Sequence, residues 1–196
     1  MSAMADSPPT SARDRILETA CRLFYRDGLR ATGIDRIIAE SGVAKMSFYR
    51  SFPSKTDLIA AFLRRRHTAW MERFRAGVEA GLTQPGAGLA VIADVLEAWF
   101  REPDFRGCAF INTLAESGPS GGEEVLIARE HKAELEAYVV EVARRLGLEH
   151  PETVAATAML IIEGAIVRAQ MTGDPNVAAL CSALLAGLGR RGRARR

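Results

Sequence analysis

Cysteine is scarce in this chain and poorly placed for chemistry. Cys21, Cys108 and Cys181 stand far apart, so no pair has the spacing of a metal site or a redox couple. Isolated thiols behind no signal-peptide pattern point to reduced side chains and a cytoplasmic location. Histidine is equally sparse: His67, His131 and His150 share no spacing. HExxH, CxxC and a glycine-rich phosphate loop are all missing. That leaves no convergent set of reactive groups for an enzyme, and no cofactor or metal is expected. No uncharged apolar run is long enough to cross a bilayer. The nearest, Val154 to Val167, contains Glu163 and is followed by Arg168, so it reads as a buried helix and no membrane partner is expected. Alternating strand patterns and internal repeats are also lacking, and the expected fold class is all-α.

What the chain does have is charge unevenly spread over one or two domains' worth of residues. Its net charge of +2 conceals a division. Residues 1–66 hold 12 Lys/Arg against 7 Asp/Glu, residues 67–189 hold 9 against 17, and the last seven residues add five arginines. A basic head on an acidic body suits a DNA-binding domain joined to something else.

The head contains a distinctive stretch, Thr32 to Lys55. Ile34, Ile37 and Ile38 recur at helical spacing, with Asp35, Arg36 and Glu40 on the other side. Thr32 and Asp35 have capping-box spacing, and Gly42 is a suitable helix stop. Lys45 to Phe52 reads as a second short helix with Phe48 and Phe52 inward. Its remaining positions, Lys45, Met46, Ser47, Tyr49 and Arg50, offer base-edge and phosphate contacts. Ser54 and Asp57 begin a third helix, and Ser11 and Asp14 an earlier one that ends near Gly28. A helix, a glycine turn and a short polar-faced helix form the helix-turn-helix layout.

From about Arg13 to Leu63 the chain strongly resembles the DNA-binding domain of the TetR family of bacterial transcriptional regulators. The resemblance rests on the Phe24 to Gly28 helix end, the GVAK turn, the F-Y-x-x-F helix and the F-P-S-K-x-x-L exit. Gly33, Ala44, Ile38 and the Met46-Ser47 pair depart from the usual pattern, which leaves the operator sequence open. The resemblance implies a homodimeric repressor that binds an inverted-repeat operator in double-stranded DNA and is released by a small-molecule effector. DNA contacts are expected from Thr32, Lys45, Met46, Ser47, Tyr49, Arg50 and Lys55, with Thr32 and Lys55 on phosphates.

The chain is expected to divide as follows. Residues 1–10 form a disordered arm, 11–58 the three-helix DNA-binding domain, 59–189 an all-α effector-binding and dimerisation domain, and 190–196 a basic disordered tail. A long helix from Lys55 to about Leu82 is shared between head and body. Helices follow over Leu89 to Phe100, Cys108 to Glu116, Glu123 to Leu146, Pro151 to Thr172 and Asn176 to Leu188. Aromatics cluster early in the body, at Trp70, Phe74, Trp99, Phe100, Phe105 and Phe110. Trp70, Phe74, Phe100 and Phe110, with Asn112, Glu163 and Arg168 as polar members, are the candidate effector pocket. Ile162, Ile166, Leu180, Leu184 and Leu188 are the candidate dimer interface, because the Pro151–Thr172 helix is apolar on every side. Two other readings stand beside this one: a constitutive DNA-binding regulator without an effector, and a thiol-based redox sensor using Cys108.

Overall fold

A computed structural model describes residues 11–117 and 121–190, and these residues form nine α-helices. They are α1 Ala12–Asp27, α2 Ile34–Ser41, α3 Lys45–Ser51, α4 Lys55–Leu82 and α5 Val91–Phe100. After them come α6 Ala109–Glu116, α7 Glu123–Arg145, α8 Pro151–Thr172 and α9 Val177–Arg190. No strand occurs among the described residues. The arm of residues 1–10 and most of the basic tail, 191–196, lie outside them.

Local chemistry explains most helix ends. Ser11 caps α1, its hydroxyl accepting the Asp14 N–H at 3.1 Å and donating to the Asp14 carboxylate at 2.6 Å. Ser54 and Asp57 form the full reciprocal box at α4, with the Ser54 N–H donating to the Asp57 carboxylate at 3.0 Å and the Asp57 N–H to the Ser54 hydroxyl at 3.1 Å, as a capping box requires. Gly42 stops α2 in the left-handed region at φ 63°, which a glycine adopts without steric cost. The Thr32–Asp35 box does not form. Gly33 is the N-cap of α2 and supplies no side chain, while the Thr32 hydroxyl donates to the Gly28 carbonyl at 2.8 Å. The hydroxyl ties down the end of α1 instead.

The helices gather into two compact units, and the division does not fall at residue 58. One unit runs up to His67 and takes in Ala109–Ala128; the other comprises Thr68–Cys108 and the chain from Arg129 onward. The first therefore contains α1, α2, α3, the early turns of α4, α6 and the start of α7. Its core is Ile16, Leu23, Phe24, Ile37, Phe48, Phe52, Leu58 and Phe62, with the Phe24 and Phe62 rings 5.6 Å apart.

In the second unit α9 packs against α5 and α8. Phe74, Val78, Ile92, Leu96, Val139, Val142, Ile162 and Leu185 fill its centre. Gly77 and Gly81 let α5 lie close to α4, for a Cβ at either would come within 2.8 Å of Val95 or Val91. Helix α8 is long and apolar enough by composition to cross a membrane. Here it has two unlike faces. Ala155, Ala158, Met159, Ile162, Ala165, Ile166 and Ala169 are buried within the chain, whereas Leu160 is 73% and Met171 81% exposed. The expectation of burial on every side is thus corrected for the single chain.

Candidate nucleic-acid interface

Helix α3 divides its side chains as a reader must. Phe48 and Phe52 are fully enclosed and hold the helix on α1. Lys45, Met46, Tyr49 and Arg50 point to solvent, and Ser47 is half-buried. Met46 is 81% exposed, an unusual state for so apolar a side chain and one suited to a thymine methyl. Tyr49 is braced edge-on by Phe48 at 5.3 Å. Lys45 lies 3.9 Å from Asp35 with both side chains mostly exposed, a pairing weak enough to exchange for phosphate.

The arginines around this helix serve the scaffold. Arg15, reaching from α1, donates to the Ser41 carbonyl at 2.7 and 3.1 Å and also to Gly42. It thereby clamps the turn between α2 and α3. Arg13 donates to the Ser51 carbonyl at 2.6 Å and lies 4.2 Å over the Phe52 ring. Arg22 and Arg36 share Glu40, each at 2.8 Å, and Arg36 also meets Asp27 at 2.9 Å. These partners hold the Glu40 carboxyl below its ordinary range, and the neighbouring Arg26 does the same for Asp27. Arg64 pairs with Glu123, and Arg66 stacks 3.8 Å over Tyr25. Apart from the i,i+4 Arg36–Glu40 pair and the adjacent Arg26 and Asp27, none of these partners is signalled by local spacing.

Two predicted phosphate contacts look different in the structure. Thr32 is wholly buried and its hydroxyl is committed to Gly28, so its side chain cannot serve DNA; this corrects the expectation. Lys55 is half-buried. Burial lowers its pKa and the Glu116 carboxylate acts the other way. That carboxylate was missed as a member of the head. It accepts the Arg30 backbone N–H at 2.7 Å. It also occupies the space beside Gly28, where a Cβ would come within 3.0 Å of it.

The predicted pocket residues separate. Phe110 and Asn112 belong to the first unit, and Arg168 is exposed on α8. Glu163 is paired with Lys132 at 3.1 Å. Within the second unit Trp70 and Phe74 stack at 4.7 Å and Trp99 meets Trp70 edge-on at 5.6 Å. Phe100 lies beside Trp99 at 6.1 Å. The predicted dimer residues separate too. Ile162 and Ile166 are core residues and cannot face a second chain, while Leu180 and Leu184 are 58% and 49% exposed. Leu188 is half-buried. Cys108 is only 5% exposed. Burial pushes the Cys21 and Cys181 thiols up to about 11, which suppresses thiolate chemistry at those two.

Comparison with known proteins agrees with this geometry. Residues 16–62 match the family model for bacterial regulatory proteins of the tetR family. The chain is 27% identical over 168 residues to the transcriptional repressor DrrR1 of Streptomyces coeruleorubidus, covering 82% of this chain and 53% of that one. It is 45% identical over 49 residues to YxaF, a helix-turn-helix regulator of Bacillus subtilis, covering 25% and 26%. The chain thus spans about half the length of these curated relatives or less. Solved structures align further. SAV143 of Streptomyces avermitilis superimposes with a TM-score of 0.77 at 28% identity, covering 93% and 98% of the two chains. SCO4454 of Streptomyces coelicolor, a TetR-family regulator, does so with a TM-score of 0.80 at 30% identity, covering 92% and 95%. With an outward-facing reader helix on a clamped glycine turn and a likeness running nearly end to end, the chain belongs to the TetR family of DNA-binding transcriptional regulators.

Proposed function

We propose that this chain is a cytoplasmic, homodimeric repressor that binds an inverted-repeat operator and responds to a small-molecule effector. The observation carrying the reading is the outer face of α3. Lys45, Met46, Tyr49 and Arg50 are exposed there on a helix whose other face is locked into the core. In the complex Met46 and Tyr49 meet base edges, while Lys45 and Arg50 meet bases or phosphates.

The dimer reading has its own support. Leu160, Val167 and Met171 lie on one side of α8, opposite Ile162 and Ile166, and Leu180 and Leu184 lie one turn apart on α9. Pairing this face two-fold with its copy would bury the leftover apolar surface. A palindromic operator would require the dimer to hold its two reader helices roughly 34–36 Å apart, one turn of DNA. The effector reading draws on the aromatic cluster in the second unit. An effector that favours a different reader spacing releases DNA, and DNA weakens effector binding by the same factor.

Selection from a random duplex pool tests the core of the reading. The protein should enrich an inverted repeat, and Tyr49→Ala and Arg50→Ala should abolish enrichment while the far-ultraviolet circular dichroism is unchanged. Recovery of no preferred sequence by the wild-type protein would refute sequence-specific regulation.

A further inference from the structure

Asp35 is the second residue of α2, and its side chain is 91% exposed. Across the turn stands Lys45, the first residue of the reader helix, with its ammonium 3.9 Å from the Asp35 carboxylate. That separation is too long for a hydrogen bond, so the two groups lie side by side with their hydrogen-bonding capacity unspent on each other. Neighbouring carboxylates are employed within the fold. Asp14 and Asp57 cap helices, Asp27 and Glu40 hold arginines, and Glu116 accepts the Arg30 N–H.

A carboxylate on a DNA-facing surface is unfavourable beside phosphates, which carry the same sign. If Lys45 took a phosphate, Asp35 would be drawn towards it as well. In the major groove the donors open to a carboxylate are the exocyclic amino groups of cytosine and adenine. At a C·G pair the cytosine amino group lies about 3 Å from guanine O6, to which it is hydrogen-bonded, and guanine N7 follows beyond O6. One donor next to two adjacent acceptors is the complement of a carboxylate beside an ammonium. At an A·T pair the amino group separates the two acceptors, leaving the ammonium one of them.

We infer that Asp35 is a specificity-determining residue and that it reads, jointly with Lys45, one C·G pair in each half-site. Asp35 accepts from the cytosine amino group, and Lys45 donates to guanine O6 and N7. The N-terminal end of a reader helix is the part that reaches base edges, and Lys45 begins α3. The inference rests on the operator-binding reading above and names one position of its sequence. Asp35 also suits the dipole at the start of α2; a purely helical role predicts lower stability with no change in base preference.

The test uses the duplex that the wild-type protein selects from a random pool. One pair in each half-site should be C·G, preferred over the other pairs by roughly 5- to 100-fold. Asp35→Ala and Lys45→Ala should each flatten the preference at that same pair. Asp35→Ala should also bind unrelated duplex at least as tightly as wild type, since a negative charge has left the surface that faces the phosphates. Replacing the cytosine by N4-methylcytosine keeps its pairing with guanine and puts a methyl where the carboxylate would sit. Wild-type affinity should then fall roughly fivefold or more, and Asp35→Ala should be indifferent. This arm needs no variant for its first reading. An unchanged preference in Asp35→Ala, relaxation by the two variants at different pairs, or equal losses on methylation in both proteins would overturn the assignment. A wild-type protein that selects no sequence defeats the operator reading itself, whereas a selected repeat indifferent to Asp35 removes this contact alone.

Discussion

Replacing Arg15 by Met is the sharpest test of how the reader is held. The guanidinium donates to two carbonyls at the end of α2, Ser41 at 2.7 and 3.1 Å and Gly42. Helix α2 has no basic residue in its own last turn, so Arg15 also supplies the positive charge that its C-terminal dipole lacks. Met retains most of the aliphatic stem and removes only the donors. A hydrogen bond from a charged donor contributes about 1.5–3 kcal/mol. These carbonyls are partly accessible and would be rehydrated in the variant, so the low end, about 2 kcal/mol, is expected for the whole clamp. For a chain of this size that lowers the melting temperature by about 4–8 °C. Arg22→Met is the control, because its pair with Glu40 is largely exposed and should contribute under about 1 kcal/mol. Thermal melts by circular dichroism, with amide exchange across residues 34–52, would compare the two. The clamp is refuted if Arg15→Met melts no lower than Arg22→Met and its turn amides keep wild-type protection.

Other substitutions separate the remaining claims. Gly33→Ser should raise stability by about 0.5–1 kcal/mol in urea unfolding, since it adds a cap and stiffens the unfolded chain; a Cβ there has nothing within 4 Å, so a loss would contradict the cap assignment. Gly28→Ala should destabilise by about 1–2 kcal/mol, because φ is +92° and the Glu116 carboxylate lies 3.0 Å from the new methyl; a melt matching wild type would count against it. Leu184→Glu should yield a folded monomer in sedimentation, as the side chain is half-exposed within one chain and carboxylates facing each other across an interface are costly; an intact dimer removes α9 from the interface. Glu79 accepts hydrogen bonds from Arg145 at 2.7 Å and Tyr138 at 2.8 Å, which hold its carboxyl near pH 2 instead of 4.5. Its folded-state pKa is depressed, so its contribution is complete above about pH 4.5 and disappears towards pH 2; the stability gap between wild type and Glu79→Gln should close over that window, and a gap independent of pH would refute the cause given.

The helices were legible where a residue's partner is close in sequence. Ser11 with Asp14, Ser54 with Asp57, and Gly42 settle their own turns whatever surrounds them. Thr32 shows the limit of such signals, because its hydroxyl had a rival acceptor in Gly28 and took it. Ile162 and Leu160 show another. Hydrophobicity marks both as fit for burial, but only the packing of α8 on α5 and α9 decides which one the single chain covers. Arg15 and Glu116 carry no local signature at all, for their partners lie 26 and 86 positions away. Phe110 and Asn112 were grouped with the body by position along the chain, whereas α6 joins the head.

The hydrogen bond from Arg30 to Glu116 also has a consequence during synthesis. At bacterial elongation speeds of about 5–20 residues per second, the acceptor follows its donor by roughly 4–17 s. From the synthesis of Ser51 onward, the nascent chain carries the whole reader-helix sequence beside an α1–α2 corner still waiting for its carboxylate. A fragment ending at His67 would remain in that condition permanently. The head should therefore acquire its last increment of order late, after the Thr68–Cys108 segment of the second unit has been made.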